Sequence, residues 1–187
     1  SSDNTAIGWG SLTENTTGAN NAAIGRSALA NTTTAANNTA VGYIAGLNVT
    51  TGDQNTLIGA AAGDALTVGN SNVAVGYEAL SGDTKGDRNV AIGRAALQAQ
   101  NFTSTTDAYN VAVGYGAGES ITTGVSNTFV GGLAGDGTDD GVGNVAVGVL
   151  ALSANCGNSN TAIGPEALSA CTGSTNSALG KDAGLSN

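Results

Sequence analysis

An aliphatic residue followed at once by glycine punctuates this chain at near-constant intervals: Ile7-Gly8, Ile24-Gly25, Val41-Gly42, Ile58-Gly59, Val75-Gly76, Ile92-Gly93, Val113-Gly114, Val130-Gly131, Val147-Gly148, Ile163-Gly164 and Leu179-Gly180. Each pair begins three residues after an asparagine: Asn4, Asn21, Asn38, Asn55, Asn72, Asn89, Asn110, Asn127, Asn144, Asn160 and Asn176. Those asparagines are 17 residues apart, except for one interval of 21 after Asn89 and two of 16 at the end. A fixed period of this size marks a solenoid, in which each repeat buries its apolar face against its neighbours.

With the asparagine as position zero, position +3 is aliphatic in every copy, a strand signal. Position +4 is always glycine, which suits a bend where a side chain would clash or φ must be positive. Position +7 is alanine in ten copies and Ser11 in the other, and +8 is often leucine (Leu12, Leu29, Leu80, Leu97, Leu152, Leu168), which predicts a second short strand. A Thr/Asn/Gly-rich loop then leads back to the next asparagine. The abundant alanine would suit helix, but the recurrent glycines leave no uninterrupted helical stretch. The pattern predicts an all-β protein: one parallel β-solenoid domain over residues 1–187, with eleven coils of about 17 residues. In-register asparagines would ladder their side-chain amides from coil to coil.

Positions +1 and +3 share one strand face, +2 and +4 the other, and neither face is strongly polar. Strands apolar on both faces are buried on both. One side is therefore expected to close the roll's interior and the other to meet a partner chain. Position +2 is alanine in nine copies, with Leu57 and Phe129 the exceptions, and in those two coils +8 shrinks to Gly63 and Gly135. That exchange predicts one shared space. Gly46 and Gly184 are followed by Leu47 and Leu185 instead, while Gly118 has no visible compensation.

The segments NTAIGWGSL, NVAVGYEAL, NVAIGRAAL and NTAIGPEAL resemble the head repeats of trimeric autotransporter adhesins and the related repeats of phage tail-fibre proteins, over essentially the whole chain. The resemblance implies a left-handed β-roll assembled as a homotrimer. It also implies an extracellular location, on a virion tail fibre or a bacterial surface, and a structural and adhesive role in host or surface attachment. Adhesin heads tend to have shorter repeats, so the period of 17 tilts the reading towards the fibre-type relatives. The repeat already runs through the first residues, which suggests a segment of a longer fibre chain.

Charge and composition narrow the function. Net charge is -9, and the five basic residues are scattered, so binding to nucleic acid or an anionic membrane is not expected. The longest apolar run, Val145 to Leu152, falls far short of the roughly 20 residues of a membrane helix. There is no histidine, which removes Ser-His-Asp and Cys-His nucleophiles and His-ligated metals. No cofactor motif is present, and the carboxylates hold no fixed repeat position, so no enzyme activity is expected. The alternatives are a polysaccharide-degrading fibre, which needs a carboxylate pair in a groove, and an ice- or surface-binding solenoid. The latter needs ranked Thr-x-Thr, whereas +1 varies among Thr, Val, Ala and Ser.

Four features are candidates for recognition or chemistry. At +5, Trp9, Arg26 and Tyr43 fall on successive coils, as do Tyr77, Arg94 and Tyr115, which predicts cation–π stacking, either as a purely structural ladder or as an exposed aromatic stripe able to meet sugar rings of a cell-surface glycan or receptor. The long interval inserts residues within Gln98 to Tyr109, where Phe102 and Tyr109 would project from the shaft, as a binding loop or as neutral drift in a tolerant loop. Asp136, Asp139 and Asp140 fit no calcium loop and read as a solvated turn. Cys156 and Cys171 lie in adjacent coils, within reach of a disulfide; a bridge, two buried thiols and an interchain bond are all open.

Overall fold

The computed structural model describes residues 3–184. Its strands are β1 (Thr5–Ile7), β2 (Ala22–Ile24), β3 (Thr39–Val41), β4 (Thr56–Ile58), β5 (Val73–Val75), β6 (Gly86–Asp87), β7 (Val90–Ile92), β8 (Thr106–Asp107), β9 (Val111–Val113), β10 (Thr128–Val130), β11 (Val145–Val147), β12 (Thr161–Ile163) and β13 (Ser177–Leu179). Eleven of them form one parallel sheet in the order β1-β2-β3-β4-β5-β7-β9-β10-β11-β12-β13, and β6 pairs with β8 in the inserted segment. Equivalent positions face each other at every step, Ala23 opposite Ala40 and Ala74 opposite Ala91. The described residues contain no helix. The fold is an all-β parallel β-solenoid.

Each coil contributes one strand to the eleven-stranded sheet, and none forms a strand at +7 and +8. Where a second strand was expected, at +7 and +8, the chain turns: positions +6 and +8 both take left-handed backbone, as at Ser27 (φ 57) and Leu29 (φ 49). A left-handed conformation costs a leucine roughly 1–2 kcal/mol. It is held by hydrogen bonds to both neighbouring coils, Ser27 N donating to Trp9 O at 2.8 Å and Leu29 N to Ala45 O at 3.0 Å, and by full burial of the Leu29 side chain. At +4 the glycine is obligatory. Gly131 has φ +138, and a Cβ there would lie 2.5 Å from the Gly148 carbonyl oxygen of the next coil.

The interior takes +2, +7 and +8, so alanine and leucine build the core, and the +3 aliphatics point outward. Leu57 and Phe129 share space with glycines as predicted, and the structure extends the rule across coils. A Cβ at Gly46 would lie 2.7 Å from Leu57 Cδ1, and one at Gly63 equally close to Leu57 Cδ2. A Cβ at Gly118 would lie 2.8 Å from Phe129 Cδ2, and one at Gly135 2.5 Å from Phe129 Cδ1. One large +2 side chain thus fills the space vacated by two glycines, which accounts for Gly118. Leu47 is not the compensation for Gly46: it is half-buried and lines an outer groove. Leu185 lies outside the described residues. Where +8 is Gly46, Gly63 or Gly118, position +11 also enlarges, to Val49, Leu66 and Ile121, all fully buried.

The asparagine ladder forms as predicted and also closes each coil. Asn72 N donates to Asn55 Oδ1 at 2.9 Å, while Asn72 Nδ2 donates to Asn55 Oδ1 at 3.1 Å and to Gly86 O at 2.9 Å, at the end of its own coil. At the insertion, Gln100 joins the ladder: Asn110 Nδ2 donates to Gln100 Oε1 at 2.8 Å, and Gln100 Nε2 to the buried Asp83 carboxylate at 2.6 Å.

Candidate functional site

The outer face of the sheet carries a row of exposed aliphatic side chains. Ile24, Ile58, Ile92, Val130, Val147 and Ile163 are each exposed by 37–39%, in a straight file along the solenoid, with the +1 residues beside them only half-buried. Between β1 and β13 each strand is hydrogen-bonded to a strand on both sides, so there the file offers side chains only. Isolated exposed aliphatics are ordinary, whereas here they follow one another from coil to coil as one apolar row.

Past the +4 bend runs the +5 column. Arg26 lies over Trp9 and Tyr43, its guanidinium carbon 5.3 and 5.7 Å from the ring centres. Arg94 lies over Tyr77 and Tyr115 at 5.8 and 5.4 Å, and its Nη1 donates to the Tyr115 hydroxyl at 3.0 Å. All four rings are at least half exposed, yet each has one face covered by an arginine. The column therefore leaves the second face of each ring free of an arginine. Glu78 pushes the Tyr77 hydroxyl pKa up, first by accepting its hydrogen bond and then by its charge.

An open groove of about 540 Å³ borders Trp9, lined also by Gly10, Thr13, Glu14, Ser27 and Asn31. Sequence reasoning missed it, although its signal is legible: +6 shrinks to Gly10 and Ser27 here and is Ile44 in the next coil. A second, polar depression is lined by Asp53, Asn70, Asp87 and Arg88. Its carboxylates are main-chain acceptors, Asp53 Oδ1 for Ala36 N and Asp87 Oδ1 for Asn70 N, both at 2.6 Å.

Of the two aromatic residues of the inserted segment, Tyr109 is exposed and Phe102 is not. Phe102 is buried, 5% exposed, and packs down where its backbone N approaches Asp83 Oδ1. The segment is tied to the preceding coil by the parallel pairing of β8 with β6, Gly86 opposite Thr106 and Asp87 opposite Asp107. Tyr109 is exposed, as expected, with Arg88 5.6 Å from its ring centre and paired to Asp107.

In the acidic turn, Asp139 accepts a hydrogen bond from Thr122, and Asp140 is exposed. Asp136 is half-buried, and desolvation, then Glu119, raises its pKa; desolvation with Glu78 does the same for Asp64. No group of three or more His, Cys, Asp or Glu among the described residues is arranged to hold a metal ion. Cys156 and Cys171 are buried free thiols. Their separation of 15 residues is one short of the local period of 16, and the Cys156 thiol donates to the Cys171 carbonyl at 2.8 Å. Burial, then the neighbouring Cys171, pushes the Cys156 pKa up to about 12.

No helix among the described residues is long and apolar enough to cross a membrane. No family model, curated protein or solved structure matches this chain.

Proposed function

We propose that this solenoid is a structural and adhesive segment of an extracellular fibre, a phage tail fibre or a bacterial surface adhesin, assembled as a left-handed homotrimer. The observation that carries the reading is the file of exposed aliphatics at +3 on a parallel, in-register sheet. Such a face gains most from packing against copies of itself, since identical ranks match in spacing along the whole length. Trimeric number and handedness follow from the resemblance of the repeats to adhesin heads and tail fibres. The role is mechanical, projecting or presenting an attachment surface to a host or to a cell-surface glycan or receptor, and not catalytic.

Replacing Ile92 by lysine tests the reading. It places a charge at the centre of the file and leaves the alanine–leucine interior untouched, so the expected product is a folded but dissociated chain. Unaltered assembly of the variant would show that the file is not the interface.

A further inference from the structure

Position +5 stacks in register, so its side chains form one column: Trp9, Arg26, Tyr43, Ala60, Tyr77, Arg94, Tyr115. Two stretches of it are filled sandwiches, Arg26 between Trp9 and Tyr43, and Arg94 between Tyr77 and Tyr115. Between the sandwiches stands Ala60, whose methyl group leaves the opening between Tyr43 and Tyr77 unfilled. Like main-chain steps set the filled and the unfilled openings: Ile44 N donates to Arg26 O at 2.9 Å, Ala61 N to Tyr43 O at 2.9 Å, and Glu78 N to Ala60 O at 3.1 Å. Two coil spacings separate the rings in each case, about 10 Å on parallel-strand geometry. The unfilled opening is thus as wide as those that hold a guanidinium. Tyr43 and Tyr77 are 52% and 50% exposed, so it is open to solvent.

We propose that the slot over Ala60, walled by Tyr43 and Tyr77, binds an arginine side chain presented by a partner polypeptide, completing the alternation of arginine and aromatic rings. A planar guanidinium stacks on two ring faces at once, which an ammonium does not. The local charge favours a cation: Glu78 flanks Tyr77, and Asp64 lies close enough to Glu78 for their charges to interact. A second copy of this chain does not supply the group, because all five of its cations are engaged. Arg26 and Arg94 fill the column, Arg88 covers Tyr109, Lys85 donates to Thr103 O, and Lys181 pairs with Asp182. The inference rests on the attachment role proposed above and not on the trimer.

The test is a titration of the native assembly with a short peptide carrying one arginine, and with the same peptide carrying lysine, followed by NMR of the tyrosine rings. The arginine peptide is expected to shift Tyr43 and Tyr77 saturably, and the lysine peptide to bind about tenfold more weakly or worse. Ala60→Arg, which fills the slot from within, is expected to abolish the response and raise the melting temperature. Ala60→Leu, an apolar plug, should abolish the response as well. No saturable shift, equal binding of the two peptides, or a response that survives both substitutions would overturn the proposal. A monomer that binds the arginine peptide would refute the trimer and keep the slot; a trimer that ignores the peptide would do the reverse.

Discussion

Asn72 carries three donor–acceptor relations at once, receiving from Asn89 while donating to Asn55 and Gly86, all out of water. Asn72→Ala leaves buried partners unmet, at about 1–3 kcal/mol. Asn72→Asp is expected to cost more, because it turns a carboxylate towards the Asn55 and Gly86 acceptors. Chemical denaturation with both variants checks the order, and equal stability to the wild type would remove the ladder from the account. Phe129 tests volume at the same scale. Phe129→Ala should lose about 3–5 kcal/mol, and adding Gly135→Leu, the residue usual at +8, should recover part of it. These residues were largely legible in the sequence, because a period of 17 puts every ladder partner at a known distance. Gly118 was not, since its partner Phe129 belongs to the next coil and reaches back over it.

The coil's corner, from +4 to +8, is where propensity misleads. Leu29 reads as a strand residue, yet its backbone is left-handed, and only the hydrogen bonds of the stacked coil make that conformation tolerable. The +4 glycine was legible because its need is local. Gly131→Ala should lower the unfolding midpoint, with about 1–3 kcal/mol from backbone strain alone and the clash with Gly148 O added to it. Phe102 was misplaced for the opposite reason: the insertion forms its own strand pair, and nothing in its composition announces that pairing. The half-buried carboxylates give this scale a pH signature. Folding raises the pKa of Asp64 above 3.8, chiefly by desolvation, so the site is more stable with the proton on and loses stability as pH rises through the folded value. Asp64→Asn should therefore raise the melting temperature at neutral pH, and the advantage should vanish below the ordinary carboxylate pKa. A constant advantage at all pH values would contradict the sign.

At the scale of the whole molecule, the strands turn mostly alanine at +2 into the interior, where the corner leucines complete the core, whereas the branched +3 side chains stand outside in a row. The sequence foretold two apolar faces but not which one lay inside, because alanine at +2 and isoleucine at +3 are both compatible with a core. The structure assigns the small residue to the inside, where the coil is tight, and leaves the large one exposed on the outer face. A net charge of -9 discourages indiscriminate association, so whatever covers the file must fit it. The central claim is that copies of the chain cover it. Sedimentation equilibrium at micromolar concentration tests this most directly. The account predicts a single species of three times the chain's 17.9 kDa, and a folded, soluble species of one chain mass would contradict it.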